Sequence, residues 1–108
     1  MSRLVQRHWP FFQLFLSETT DNQRRVLLKT ITNSQLKALI EIVTNFLQRV
    51  IVVKPAALKA IEKHKNLLRR FADDTVSLKS KRQTLNRHQK TIKEFLKTAI
   101  PAIKSRLK

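Results

Sequence analysis

Glycine and cysteine are both absent from this 108-residue chain. Without glycine, no residue enters the left-handed backbone region free of steric penalty. That argues against tight hairpins, phosphate-cradling loops and glycine helix caps, and it favours a nearly all-helical chain. Without cysteine, disulfides and thiolate metal sites are excluded and the redox compartment is left open. Long apolar runs are missing too: the densest, Val50-Ile51-Val52-Val53, falls far short of the ~20 residues that cross a bilayer. The segment Trp9-Pro10-Phe11-Phe12-Gln13-Leu14-Phe15-Leu16 imitates the apolar region of a signal peptide. Proline and glutamine interrupt it and no small-residue cleavage site follows, so no signal peptide is expected. Acidic residues are scarce, seven against 23 Lys and Arg, for a net charge of +16.

The surplus is unevenly spread. Sixteen of the 23 Lys and Arg residues, but only four of the seven acids, lie at or beyond Lys54, so that half carries a net +12. The 42% hydrophobic content matches an ordinary globular chain, and the length suits one domain with one modest core. The expected organisation is a single helical domain spanning 1–108: an aromatic N-terminal segment (1–18), an apolar helical core (19–53) and a strongly basic helical half (54–108).

Residues 11–17 predict a short apolar helix behind Pro10. Thr20-Asp21-Asn22-Gln23 has capping-box spacing and opens a helix to about Ile31. Thr32-Asn33-Ser34-Gln35 repeats the arrangement and opens the clearest helix, where Leu36, Leu39, Ile40, Val43, Phe46, Leu47 and Val50 share one face. The β-branched run Val50–Val53 is expected to extend before Pro55, which suits the first turn of a helix reaching Phe71 or Ala72. That helix is expected to turn Ala57, Leu58, Ile61, Leu68 and Phe71 inward. Residues 73–77 read as a turn, with Ser77 capping a short helix seated by Leu78 and Leu85. A last helix is expected from Arg87 or Thr91 to Ile100, with the stripe Ile92, Phe95, Leu96, Ala99, Ile100, Ile103 and Leu107, bent or restarted at Pro101. The fold class is thus an all-α bundle of about five helices.

The chemistry lies in the cations. Arg69, Arg70, Lys79, Lys81, Arg82, Arg87 and Lys90 fall on three adjacent segments, a pattern suited to neutralising phosphates with release of counterions. The expected partner is DNA or RNA, bound through the phosphate backbone. A sharper version makes Ala56–Phe71 and Ser77–Leu85 a helix-turn-helix-like pair, with Ser77 on a phosphate and Lys79, Lys81, Arg82 and Gln83 facing a groove. The bland alternative is a set of solvated helix faces. The final helix, with Lys90, Lys93, Lys97 and Lys104 opposite its apolar stripe, also suits an anionic membrane surface, although core packing is the commoner use of such a stripe. Trp9, Phe11, Phe12 and Phe15 suit a membrane-insertion element, a docking plug for a partner or second copy, or, as the leading reading, the lid of the core. Catalysis finds little support: His8, His64 and His88 stand apart, Asp73-Asp74 reads as a turn, and no nucleophile sits in a recognisable elbow. No cofactor or metal is expected.

The run 17–39 with its two Thr-led helix starts, continued by Glu41-Ile42, Asn45-Phe46-Leu47, Lys65-Asn66-Leu67-Leu68-Arg69-Arg70 and Lys81-Arg82, resembles the small basic open reading frames of Polinton/Maverick transposons and adintoviruses. The likeness spans about residues 10–90 and rests on helix starts and apolar spacing. Many such frames continue into a Gly-rich apolar tail, whereas this chain has Lys93-Glu94-Phe95-Leu96-Lys97, a departure from any membrane-lytic tail. The resemblance implies a virus-like setting and a late virion component, such as a DNA-packaging or core protein placed in the nucleus or virion. It supplies no site residues.

Overall fold

Thr20 and Thr32 start their helices in the same way. Each hydroxyl accepts from the backbone N–H three residues on, Gln23 or Gln35, at 3.2 and 3.1 Å. Each glutamine side chain accepts from the threonine N–H in return, at 2.8 and 3.0 Å. Two otherwise unpaired N–H groups are thereby satisfied at each start. The computed structural model describes residues 3–17, 20–48 and 53–107. Within them the helices are α1 (Arg3–Arg7), α2 (Trp9–Leu16), α3 (Asp21–Lys29), α4 (Asn33–Leu47), α5 (Pro55–Glu62), α6 (Lys65–Ala72), α7 (Leu78–Arg87) and α8 (Gln89–Leu107). No strand occurs among the described residues, so the all-α class holds, with eight helices rather than about five.

Two helices organise the core. The α4 stripe buries Leu36, Ala38, Leu39, Ile42, Val43 and Phe46, and packs on α1, α6 and α7. The α8 stripe buries Ile92, Phe95, Leu96, Ala99, Ile100 and Ile103, and packs on α2, α3, α5 and α7. Phe46 and Phe95 meet edge to face, ring centres 5.2 Å apart, and join the two stripes. The radius of gyration is 12.9 Å, against ~13 Å for a compact chain of this length. One core therefore serves all eight helices.

Several expectations change. The helix expected over 11–17 is α2 and begins at Trp9, with Pro10 inside its first turn, where the missing N–H removes no helical bond. The short α1 ahead of it was not anticipated; its Val5 is fully buried and it packs on α4. His8 joins this N-terminal corner to the start of α4 through Nε2 and Ser34 Oγ, 2.6 Å apart.

The single helix expected over 55–72 is two. It breaks at Lys63-His64, where the His64 N–H turns back to the Ile61 carbonyl at 2.8 Å. The halves serve different neighbours: α5 packs on α8 and α6 on α4. His64 Nε2 lies 3.9 Å from the Glu94 carboxylate on α8, so the break itself faces that helix. The last helix runs past Ile100 to Leu107, with Pro101 inside it. Pro101 lies on the exposed side, while buried Ala99, Ile100 and Ile103 hold the opposite side. In the expected extended run, Val50, Ile51 and Val52 lie outside the described residues; Val53 is non-helical and packs against the core.

Candidate nucleic-acid interface

The basic residues of α7 do not act as one face, because the helix packs on α3, α4 and α8 at once. Lys79, one residue into the helix, is exposed, as is Arg87 at its last position. Lys81 is only 3% exposed. Its charge helps hold the Asp73 carboxyl below the ordinary carboxylate range, after the larger effects of the Thr75 N–H and hydroxyl that donate to that carboxylate at 2.9 and 2.7 Å. Arg82 is committed elsewhere: its guanidinium donates to the Ile31 carbonyl and, at 2.6 Å, to Asn33 Oδ1. It thereby joins α7 to the short connection between α3 and α4. Lys81 and Arg82, expected to lead the phosphate contacts, are thus placed otherwise, the first buried and the second bonded to the α3–α4 connection; their spacing resembled a solvated basic run because their partners are distant in sequence.

The expected helix-turn-helix-like pair corresponds to α6 and α7. Two helices do flank the turn at 73–77, but the Ser77 hydroxyl caps α7, accepting from the Ser80 N–H at 3.1 Å. Of the four side chains expected to face a groove, Lys79 and Gln83 are exposed. Arg69 and Arg70 are exposed at the end of α6. Arg69 lines an apolar-floored groove with Phe46, Leu58 and Lys65, apart from the α7–α8 corner.

That corner is where cations converge. Arg87 ends α7, His88 links the helices, and Lys90 lies in the first turn of α8. Opposite stand Arg24 and Arg25 of α3, which packs on both α7 and α8. Between them is an open notch of about 380 Å³ lined by Asp21, Arg24, Arg25, Gln89, Lys90 and Lys93. Arg24 is 8% exposed, and it is held by bonds from Nε to the Phe15 carbonyl at 3.4 Å and from Nη1 to Asp21 at 2.9 Å. Half-buried Lys93 has its pKa lowered, first by desolvation and then by the charges of Arg24 and Lys97. Lys90 was legible as a candidate from sequence. Arg24, Arg25 and Lys93 were not, because only the packing of α3 on α8 brings them to it.

The aromatic segment is mainly lid. Phe12 and Phe15 are 0% and 1% exposed, and Trp9 and Phe11 pack partly buried against the same core. Phe11 and Phe12 meet edge to face at 5.4 Å. Phe12 and Phe15 are thus taken up by the core, while Trp9 and Phe11 keep part of their surface exposed. The α8 stripe that would enter lipid in a membrane-facing role is buried inside the protein. No helix among the described residues is long and apolar enough to cross a membrane, and no group of three His, Asp or Glu there is placed to hold a metal ion. Comparison with known proteins finds no matching family model, no matching curated protein and no matching solved structure.

Proposed function

We propose that this protein binds nucleic acid, DNA or RNA, through its phosphates, without catalysis and with little sequence readout. The observation that carries the reading is the charge and its exposure. The chain holds a net +16, and Arg25, Lys29, Lys79, Arg87, Lys90, Lys97 and Lys104 are all exposed on the mutually packed helices α3, α7 and α8. On the same three helices the acids are Asp21 and Glu94. A surface of that sign attracts polyanions and exchanges its contacts for released counterions. Weak sequence preference follows from the mode of binding, because contacts to phosphates position a protein without reading bases. A packaging or core role in a virus-like particle accords with both the charge and the resemblance of the sequence to transposon and adintovirus frames.

Competition tests the reading. A labelled duplex bound at moderate salt is challenged with an unrelated duplex and with a single strand. Displacement by the unrelated duplex at a concentration similar to that of the unlabelled probe duplex is the expected result. Strong preference for one sequence would make the protein a regulator instead.

A further inference from the structure

We infer that the notch between the starts of α3 and α8 is a built phosphate subsite, which seats one backbone phosphate of the bound nucleic acid between Arg24, Arg25, Lys90 and Lys93. This inference rests on the nucleic-acid reading and adds a fixed position to it.

Three features distinguish the notch from the remaining basic surface. First, it is concave and brings four cations together against one carboxylate, Asp21, which is already paired with Arg24. Second, one wall is pre-organised. The Arg24 side chain is nine-tenths buried and fixed by two bonds, which use two of the five N–H donors of its guanidinium. A planar donor group held still loses little entropy when it meets a phosphate oxygen. Third, the start of a helix adds its own positive potential to that of the side chains. The first turn of the 19-residue α8 contains no acid and carries Lys90, a cation at the positive end of a helix dipole. The earliest amide bonded back to this end is Ile92 N–H, on the His88 carbonyl, so the preceding amides lack helical partners. Nearby, Lys93 is disfavoured as a cation by desolvation and by Arg24 and Lys97. An anion in the notch offsets the repulsion among these cations and meets the free amides of the helix start. A tetrahedral phosphate, with several acceptor oxygens, suits donors arriving from two helices better than one planar carboxylate does.

Two measurements test the subsite. The first compares duplex affinity of Lys90→Ala/Lys93→Ala with that of Lys59→Ala/Lys63→Ala, which removes equal charge from exposed positions at and just beyond the end of α5. The second follows backbone amide NMR shifts of residues 89–93 during titration with inorganic pyrophosphate. The notch variant is expected to lose at least about tenfold more affinity than its control, and the amides to shift saturably in the wild type alone. Unfolding of the notch variant is not expected, because removing Lys93 relieves repulsion; Arg25→Ala, at an exposed position, repeats the test with a milder change. Equal losses in both double variants, without saturable shifts, would overturn the subsite and leave diffuse phosphate binding intact. Saturable pyrophosphate binding without duplex binding at physiological salt would overturn the nucleic-acid source and leave a site for a free phosphate compound.

Discussion

Arg82 Nη2 donates to Asn33 Oδ1 across 2.6 Å, joining two residues 49 positions apart in the chain. The same guanidinium serves the Ile31 carbonyl, just past the end of α3, so one cation secures the connection on which α3 and α4 turn. Arg82→Ala leaves that half-buried carbonyl without its donor. The expected loss of stability is about 1–3 kcal/mol in urea unfolding. Duplex affinity is expected to fall no further than for loss of any other single charge.

Lys81 makes a sharper separation between stability and binding. Its side chain is buried, so Lys81→Met keeps the packed volume and removes only a charge. Stability is expected to change by less than about 1.5 kcal/mol, with little change in duplex affinity. Lys79→Met, at an exposed position on the same helix, is expected to weaken binding measurably. Fluorescence anisotropy on the pair checks this, and a larger loss for Lys81→Met would return that lysine to the interface.

Phe15 tests the aromatic lid. With 1% of its surface exposed it fills the core between α2 and its neighbours. Phe15→Ala is expected to cost about 3–5 kcal/mol, a large share of a small domain's stability. Light scattering of the wild type is expected to give a mass independent of concentration, because the ring is already covered. An assembly dispersed by Phe15→Ala without loss of stability would contradict the lid.

Asp73 sets an acid-side limit. Its carboxylate accepts from the Thr75 N–H and hydroxyl, with Lys81 adding a smaller attraction, and these hold its folded pKa below the unfolded one. The sign follows: protons bind the unfolded chain more readily, so this contribution is fully present above about pH 4 and is lost as pH falls through the folded pKa. Unfolding midpoints measured from pH 7 to pH 2 are expected to fall at the acid end, and Asp73→Asn to flatten that fall.

Local signals in the sequence carried much of this fold. The two Thr–Gln capping boxes and the α4 stripe are visible because their partners lie three or four residues apart. The break at His64 is hidden because Ile61 and Leu68, seven apart, fit one continuous helix as well as two. The five-residue α1 is too short to form on local propensity and depends on α4 to cover Val5. Charge was legible in amount but not in placement. Lys81, Arg82 and Lys90 look alike in sequence, yet packing buries the first, ties the second to α4 and aims the third at cations of α3.

Affinity for duplex DNA measured at several salt concentrations tests the central claim most directly. Binding through about five or six phosphates predicts a log–log slope of about −4.5 to −5.4, the same for unrelated sequences. A flat slope, or no binding near physiological salt, would contradict the account and leave the exposed lysines and arginines as solvated surface.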